Sequence, residues 1–230
     1  MLKNTLDTLM RQNPFARLGD CVYQVLYEAI IELDLPPGTV LSETALAREL
    51  DISRTPIRSA FIRLAKNGLL ENSYRHTFAV TGFKKEESRQ LMEARIPVEA
   101  QAACHAAERI SSGHIAALEN HLKAFSVAFD AWNIREMVVA DNNFHQTIID
   151  AACNRFLSEL YRQLAPRVIH YRYFLYNKTP KEQLVPIMGA SLRIHRSIYN
   201  AVRLGFANEA KSCMERDIAG MTGIIGLWQE

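Results

Sequence analysis

The sequence has little that would suggest a secreted, membrane-bound or zinc-ribbon protein. Its four cysteines lie far apart and form no CxxC pair, which argues against both a zinc ribbon and a disulfide framework. No apolar run approaches the roughly 18 residues that a membrane span needs, and no charged segment followed by an apolar one marks a secretory signal. We therefore predict a cytoplasmic protein with reduced cysteines and no membrane partner.

The sequence also has little net charge and none of the familiar catalytic motifs. The formal charge is only +2, and the chain contains no HExxH, no phosphate-binding glycine loop and no Ser-His-Asp order. At 230 residues, with 48% apolar and 23% charged side chains, it is long enough for two ordinary globular domains. A catalytic function therefore has no motif in its support.

Positive charge is concentrated in one short region. Residues 52–82 contain five lysines and arginines against the single acidic residue Glu71. A local basic patch of this size matters more for nucleic-acid binding than the charge of the whole chain.

The basic patch includes a predicted helix that begins at Ser53, a good N-cap residue, with Pro56 in its first turn. On one face of this helix, apolar residues recur at helical spacing and must pack against a core: Ile57, Ala60, Phe61 and Leu64. Arg54, Thr55 and Arg58 lie on the other face, at the amino end, where basic residues oppose the helix dipole. Local stability does not explain them, whereas a recognition helix in a major groove does. The alternative is a solvated helix face.

The residues before this helix complete a helix-turn-helix. A helical pattern from Leu18 to Leu33 is stopped by Pro36-Pro37-Gly38, and Ser42 caps a short second helix that ends near Leu50. A helix-turn-helix consists of two helices joined by a three- or four-residue turn, which is the arrangement predicted for these two helices.

Two short strand patterns follow, over residues 69–72 and 77–80, around a polar turn that contains Arg75 and His76. They predict a wing that reaches the minor groove or flanking phosphates, and the alternative is a plain hairpin with solvated charges. From residue 83 onward only helical patterns remain. The prediction is a mainly α chain: an N-terminal arm (1–17), a winged helix-turn-helix domain (18–82) and an all-α helical-bundle effector domain (83–230).

Four polar residues interrupt the apolar faces of the predicted bundle. Asp141 and His145 are i, i+4 neighbours on one helix, and His195 and Asp217 lie in apolar register on two others. Burial without partners would cost about 1–3 kcal/mol for each neutral group and more for a charge, so mutual contact is favourable. Two imidazoles and two carboxylates suit a divalent Zn, Ni, Mn or Fe ion. A buried Asp–His pair with two unrelated residues remains the alternative.

The run PPGTVLSETALARELDISRTPIRSAFIRLAKNGLL resembles the DNA-binding domain of the GntR superfamily of transcription regulators. The resemblance implies contact with double-stranded operator DNA by Arg54, Thr55 and Arg58. Thr44 stands where many members have an arginine, and the wing turn lacks the usual glycine. The predicted DNA-binding residues are Thr44, Ser53, Arg54, Thr55, Arg58, Arg75 and His76.

The segments DNNFHQTIIDAACN, SLRIHRSIYNAV and ANEAKSCMERDI resemble the FCD ligand-binding domain of the FadR branch. Its metal-binding members have D-x-x-x-H and two further histidines; Asp141, His145 and His195 match, and Asp217 stands where the third histidine is expected. LMEARIPVEA resembles the segment that commonly presents an arginine, here Arg95, to an effector carboxylate. The alternative for Arg95 is a surface ion pair with Glu99.

These observations together predict a homodimeric regulator, a repressor whose operator affinity is controlled by a small carboxylate, with metal assistance. A homodimer is expected because one recognition helix covers too small a half-site to be selective. The alternatives are a metal-dependent enzyme acting on a small carboxylate and an architectural DNA-binding protein with an inert helical domain.

Overall fold

The computed structural model of the chain describes residues 1–74 and 77–227, and the molecule divides into two compact units, Met1–Phe83 and Lys84–Glu230. In the described part of the first unit there are four helices and three strands: α1 Leu2–Gln12, α2 Leu18–Ile31, β1 Val40–Ser42, α3 Glu43–Leu50, α4 Arg54–Lys66, β2 Leu70–Tyr74 and β3 Thr77–Val80. The second unit, described up to residue 227, has six helices over that range: α5 Lys85–Arg109, α6 Ser112–Asp130, α7 Ile134–Ala151, α8 Arg155–Lys178, α9 Lys181–Arg203 and α10 Ala207–Leu227. The predicted mainly α fold class, with a winged helix-turn-helix followed by an all-α domain, is confirmed.

The core of the first unit forms where α2 packs against α4. The predicted stripe of α4 is fully buried, with Ile57, Ala60, Phe61 and Leu64 all at 0% exposure. The ring of Phe61 meets Phe78 of β3 edge to face at 5.1 Å, which ties the wing to α4. Burying this stripe leaves the opposite face of α4 on the surface.

The turn between α3 and α4 has the expected capping at its first helix. The Ser42 hydroxyl accepts a hydrogen bond from the Ala45 amide at 3.4 Å, and Asp51, the C-cap residue of α3, has the left-handed conformation (φ 58°). Ser53 occupies the N-cap position of α4, but its side chain makes no capping hydrogen bond. The predicted start of α4 is therefore right, while the expected capping contact of Ser53 is not formed.

The predicted N-terminal arm, residues 1–17, is mostly a docked helix and not a loose segment, because α1 spans Leu2–Gln12. Leu6 is only 1% exposed and α1 packs against α2 and α3. The weak apolar periodicity of this segment gave no clear helical pattern, since Leu6 is the one buried residue of α1.

The wing belongs to a three-stranded antiparallel sheet in the order β1-β3-β2. The two wing strands were predicted, but β1 was not. Its three residues pair with β3, Leu41 opposite Phe78, so the segment just before α3 is hydrogen-bonded to the wing. This pairing fixes the first helix of the turn relative to the sheet.

In the second unit α5 packs against α7, α8, α9 and α10, so it is the central helix of the bundle. Helix α7 begins at Asn133, whose side chain accepts a hydrogen bond from the Glu136 amide at 3.2 Å. Among the described residues, no helix has both the length and the apolar character needed to cross a membrane.

Candidate functional site

The amino end of α4 presents its polar residues to solvent, as predicted for a recognition helix. Ser53, Arg54, Thr55 and Arg58 are all exposed, and Thr44 is exposed on α3. The side chain of Arg58 is 61% exposed although its neighbour Ile57 is fully buried. The structure thus brings these residues to the surface of the helix-turn-helix. Arg75 and His76, the predicted wing contacts, lie outside the described residues.

An acidic residue that was not among the predicted site residues approaches this surface. Glu43 of α3 is 8% exposed at its side chain, and its Oε1 lies 4.0 Å from Nε of Arg58. The contact is at the outer limit of an ion pair, so it biases the Arg58 side chain without taking up the distal nitrogens of its guanidinium. Those nitrogens are the donors that reach guanine edges or phosphates.

The four polar residues predicted for a metal site lie together inside the second unit. Asp141 and His145 of α7, His195 of α9 and Asp217 of α10 are 3%, 1%, 1% and 6% exposed. Nε2 of His145 lies 3.3 Å from Asp217 Oδ2, and Nε2 of His195 lies 3.3 Å from Asp217 Oδ1. Each Nε2 atom is also 3.7 Å from a different oxygen of Asp141. Three helices therefore converge on one polar cluster.

The cluster has the donor set and spacing of a first-row metal site. Ligand atoms of Asp141, His145 and His195 all lie within 4.8 Å of one another. Ligands held about 2.1 Å from a tetrahedral ion are separated by about 3.4 Å, close to the observed distances. The buried Nε2 atoms of both histidines, and Nδ1 of His145, form no hydrogen bond of normal geometry with any described residue. These residues fit a divalent metal ion.

Two further buried charges lie beside this cluster: Glu99, expected only as a possible surface partner of Arg95, and Arg172, which the sequence analysis did not consider. Glu99 of α5 lies 2.6 Å from Nδ1 of His145, through Oε2. Arg172 of α8, 2% exposed, forms an ion pair with Asp141, while its Nε has no hydrogen-bond partner among the described residues. The signal available for Arg172 was its register with the buried residues Val168 and Leu175.

The guanidinium of Arg95, predicted to bind an effector carboxylate, forms an ion pair with Glu99 instead. Its Nε donates to Glu99 Oε1 at 2.6 Å, its Nη2 lies 3.3 Å from Oε2, and its Nη1 faces Met92 Sδ at 3.4 Å. The i, i+4 pair that was the alternative for Arg95 therefore forms, but both side chains are 1% exposed, so it is an internal pair and not a surface one.

Burial and charge act in opposite directions on the pKa values of this cluster. Burial by itself raises the pKa of Glu99, but Arg95 and His145 lower it to about 2. Burial lowers the pKa of His145, but Glu99, Asp217 and Asp141 raise it to about 9. Burial likewise raises the pKa of Asp217, and His195 and His145 bring it well below its ordinary value. The lowered pKa values keep Glu99 and Asp217 ionised. A metal ion at His145 would have to displace a proton from that ring.

A small cavity of about 290 Å³ between α9 and α10 borders the cluster. Asp217 and Ser191 contribute its polar wall, and Ser191 Oγ lies 3.4 Å from Asp217 Oδ1. The remaining wall is mostly aliphatic, including Ile187, Ile194 and Met221. A small molecule in this cavity would lie beside one of the candidate metal ligands.

Comparison with protein families assigns both parts of the chain. Residues 18–80 match the family described as bacterial regulatory proteins, gntR family, and residues 90–220 match the FCD domain. The two matched segments include the exposed face of α4 and the buried cluster, respectively.

Individual relatives match over most of the chain. The HTH-type transcriptional repressor RspR of Escherichia coli is 28% identical over 200 residues, covering 86% of this chain and 84% of RspR. The HTH-type transcriptional regulator LutR of Bacillus subtilis is 26% identical over 219 residues, covering 86% and 96%. Among solved structures, E. coli McbR/YncC has the same fold, with a TM-score of 0.79 at 20% identity over 93% of this chain and 99% of its own.

Proposed function

We propose that this chain, which belongs to the GntR family of bacterial regulatory proteins and has an FCD domain, is a repressor that a small carboxylate releases from DNA. As a member of that family, it is a DNA-binding transcription regulator. We place it in the FadR branch and in the cytoplasm, where it would bind chromosomal operators. The observation that carries the DNA-binding part is the exposed basic amino end of α4 above a fully buried apolar face.

We propose that the chain binds DNA as a homodimer on a pseudo-palindromic operator. A single α4 offers only the few base-reading side chains of its first turns, including Arg54 and Arg58, and would read too few base pairs for selectivity. Two copies related by a two-fold axis would read two half-sites about one helical turn apart, or a multiple of it. The predicted wing residues Arg75 and His76 would add contacts beside each half-site.

We propose that the buried cluster is the effector site. Asp141, His145, His195 and Asp217 would hold a divalent ion, which supplies a positive centre for the effector's oxygen atoms. With a carboxylate in place of a third imidazole, the donor set favours harder ions such as Mn or Fe over softer ones. The cavity beside Asp217 would admit the rest of a small molecule.

The effector's carboxylate would also need a guanidinium partner. Among the described residues, Arg95 and Arg172 lie beside the cluster and carry such a group. Arg95 was predicted for this role, but an effector would have to displace Glu99 from its Nε and Nη2. Arg172 carries a buried Nε that makes no hydrogen bond with the described residues. We therefore propose a carboxylate held between the metal and one of these guanidinium groups, with Arg172 favoured because its Nε is not already paired.

We propose a regulatory function for the cluster and not an enzymatic one. The relatives matched over most of the chain are named as transcription regulators, and residues 18–80 match the gntR family of bacterial regulatory proteins. Metal ligands alone would not make an enzyme, and Glu99, a further acidic residue that contacts His145, is already paired with Arg95.

A footprint of the purified protein on DNA selected from random duplexes tests the operator proposal. We expect a protected region with two inverted half-sites and a complex containing two protein chains, measured by sedimentation or light scattering. Recovery of no preferred sequence at moderate salt would contradict an operator-specific regulator. A single protected half-site with one bound chain would contradict the homodimer alone.

A further inference from the structure

We propose that Glu99 is a positioning residue that fixes the His145 ring for metal binding, and that Arg95 in turn fixes Glu99. The inference deepens the proposed metal site and rests on it. It gives Arg95 a structural partner inside the protein in addition to its predicted role toward an effector.

The contacts form one continuous buried path from α5 to the cluster. Arg95 and Glu99 are i, i+4 neighbours on α5, and α5 packs against α7, which carries His145. Glu99 Oε2 forms an ion-pair contact of 2.6 Å with His145 Nδ1, at an angle outside that of a normal hydrogen bond, while Glu99 Oε1 accepts from Arg95 Nε at 2.6 Å. The three side chains are at most 1% exposed, so water does not compete for these contacts.

The contact with Glu99 determines which ring nitrogen of His145 can bind a metal. A neutral imidazole carries one proton, and a metal binds the nitrogen that lacks it. A carboxylate beside Nδ1 keeps the proton on that nitrogen, so the lone pair belongs to Nε2, the atom that faces Asp141 and Asp217. Glu99 therefore selects both the tautomer and the orientation of the ring.

Arg95 compensates for the buried charge of Glu99. A buried carboxylate needs hydrogen-bond donors for the oxygen lone pairs that water no longer reaches. The guanidinium donates through Nε and Nη2 to the two oxygens of Glu99 and so fixes the plane of the carboxylate beside the His145 ring. A lysine could not reproduce this planar two-point contact.

His195 is held in a different way, which makes the role of Glu99 specific to His145. The His195 ring stacks on Phe144 with centroids 4.6 Å apart and meets Phe125 edge to face at 5.8 Å. Aromatic packing thus orients this second imidazole. Loss of Glu99 should accordingly disturb one ligand of the cluster and leave the other in place.

The test compares Glu99→Ala and the near-isosteric Glu99→Gln with Glu93→Gln, a control on an exposed residue of the same helix. Affinity for Mn²⁺ and Zn²⁺ is measured by competition with a chromophoric chelator, and folding by circular dichroism and urea unfolding. We expect a loss of about 10- to 100-fold for Glu99→Ala, a smaller loss for Glu99→Gln, and none for the control. A folded Glu99 variant with parental metal affinity would overturn the proposal.

A second readout needs no metal. In metal-free protein with ¹⁵N-labelled histidine, the His145 Nδ1 proton should give a slowly exchanging, downfield NMR signal that Glu99→Ala removes and Glu93→Gln retains. Its absence from the parent would overturn the positioning role. Its presence in a parent that takes up no metal would support the Glu99 contact and refute the proposed metal site, so the two failures are distinguishable.

Arg95 is tested by combining substitutions. If Arg95 acts on metal binding only through Glu99, then Arg95→Met with Glu99→Gln should bind Mn²⁺ no more weakly than Glu99→Gln alone. A further tenfold loss in the folded double variant would show that Arg95 acts on the site independently, and would overturn this part of the proposal.

Discussion

Replacing Arg58 with alanine should weaken binding to the operator roughly 30-fold or more while the helical unit stays folded. The side chain is exposed on the amino half of α4, and its contact with Glu43 is at the 4.0 Å limit of an ion pair. A good guanidinium contact to a base is worth about 1–3 kcal/mol, and a dimer loses it in both half-sites. The total of about 2–6 kcal/mol is far above the error of a fluorescence anisotropy titration at fixed moderate salt.

The matched control is Arg162→Ala, which removes another exposed arginine from a helix in the second unit. Both variants lower the chain's charge equally, so a general electrostatic effect would weaken DNA binding to the same degree in each. Parental affinity in Arg58→Ala would mean that this face of α4 does not contact DNA. Equal losses in the two variants would mean that Arg58 contributes only charge.

Replacing His195 with alanine should remove bound metal and leave DNA binding intact. His195 is one of the two imidazoles whose buried Nε2 atoms face both Asp141 and Asp217. With one imidazole gone, the remaining ligands are two carboxylates and His145, a weaker set for a first-row ion. Metal content by inductively coupled plasma mass spectrometry should fall from about one ion per chain to near zero.

His121→Ala is the control for this substitution, because His121 is half-buried in α6 and is not among the candidate ligands. It should retain the parental metal content. The His195→Ala variant should also lose its response to the effector while its operator affinity without effector stays within a few-fold of the parent. Parent protein that contains no metal after purification and dialysis against Mn²⁺ or Zn²⁺ would contradict the site.

The elements that could be predicted are those whose own sequence determines them. The apolar repeat from Ile57 to Leu64 and the turn signals on either side were sufficient for α4 and its neighbours. Helix α1 and strand β1 could not be recognised in this way. Leu6 is buried only because α2 and α3 pack over it, and Val40–Ser42 becomes a strand only because β3 pairs with it.

The same distinction applies to the buried cluster. The spacing of Asp141 and His145 places them on one face of a helix, which is a local property. Glu99 looked like half of a surface pair, because an i, i+4 spacing does not state which face of α5 is covered. Arg172 pairs with a residue on another helix, and no local pattern encodes that contact. The outer partners of a site depend on helix packing, and sequence periodicity alone does not determine helix packing.

Operator affinity with and without small acids is the most direct test of effector control. The metal-loaded protein is titrated with its selected operator in the presence of short-chain mono-, di- and hydroxy-carboxylic acids, and binding of each acid to the free protein is measured by calorimetry. For at least one acid that binds, operator affinity should fall about 5- to 150-fold, a coupling of about 1–3 kcal/mol, and DNA should weaken the acid's binding by the same factor. Acids that bind the protein and leave operator affinity unchanged would contradict the account.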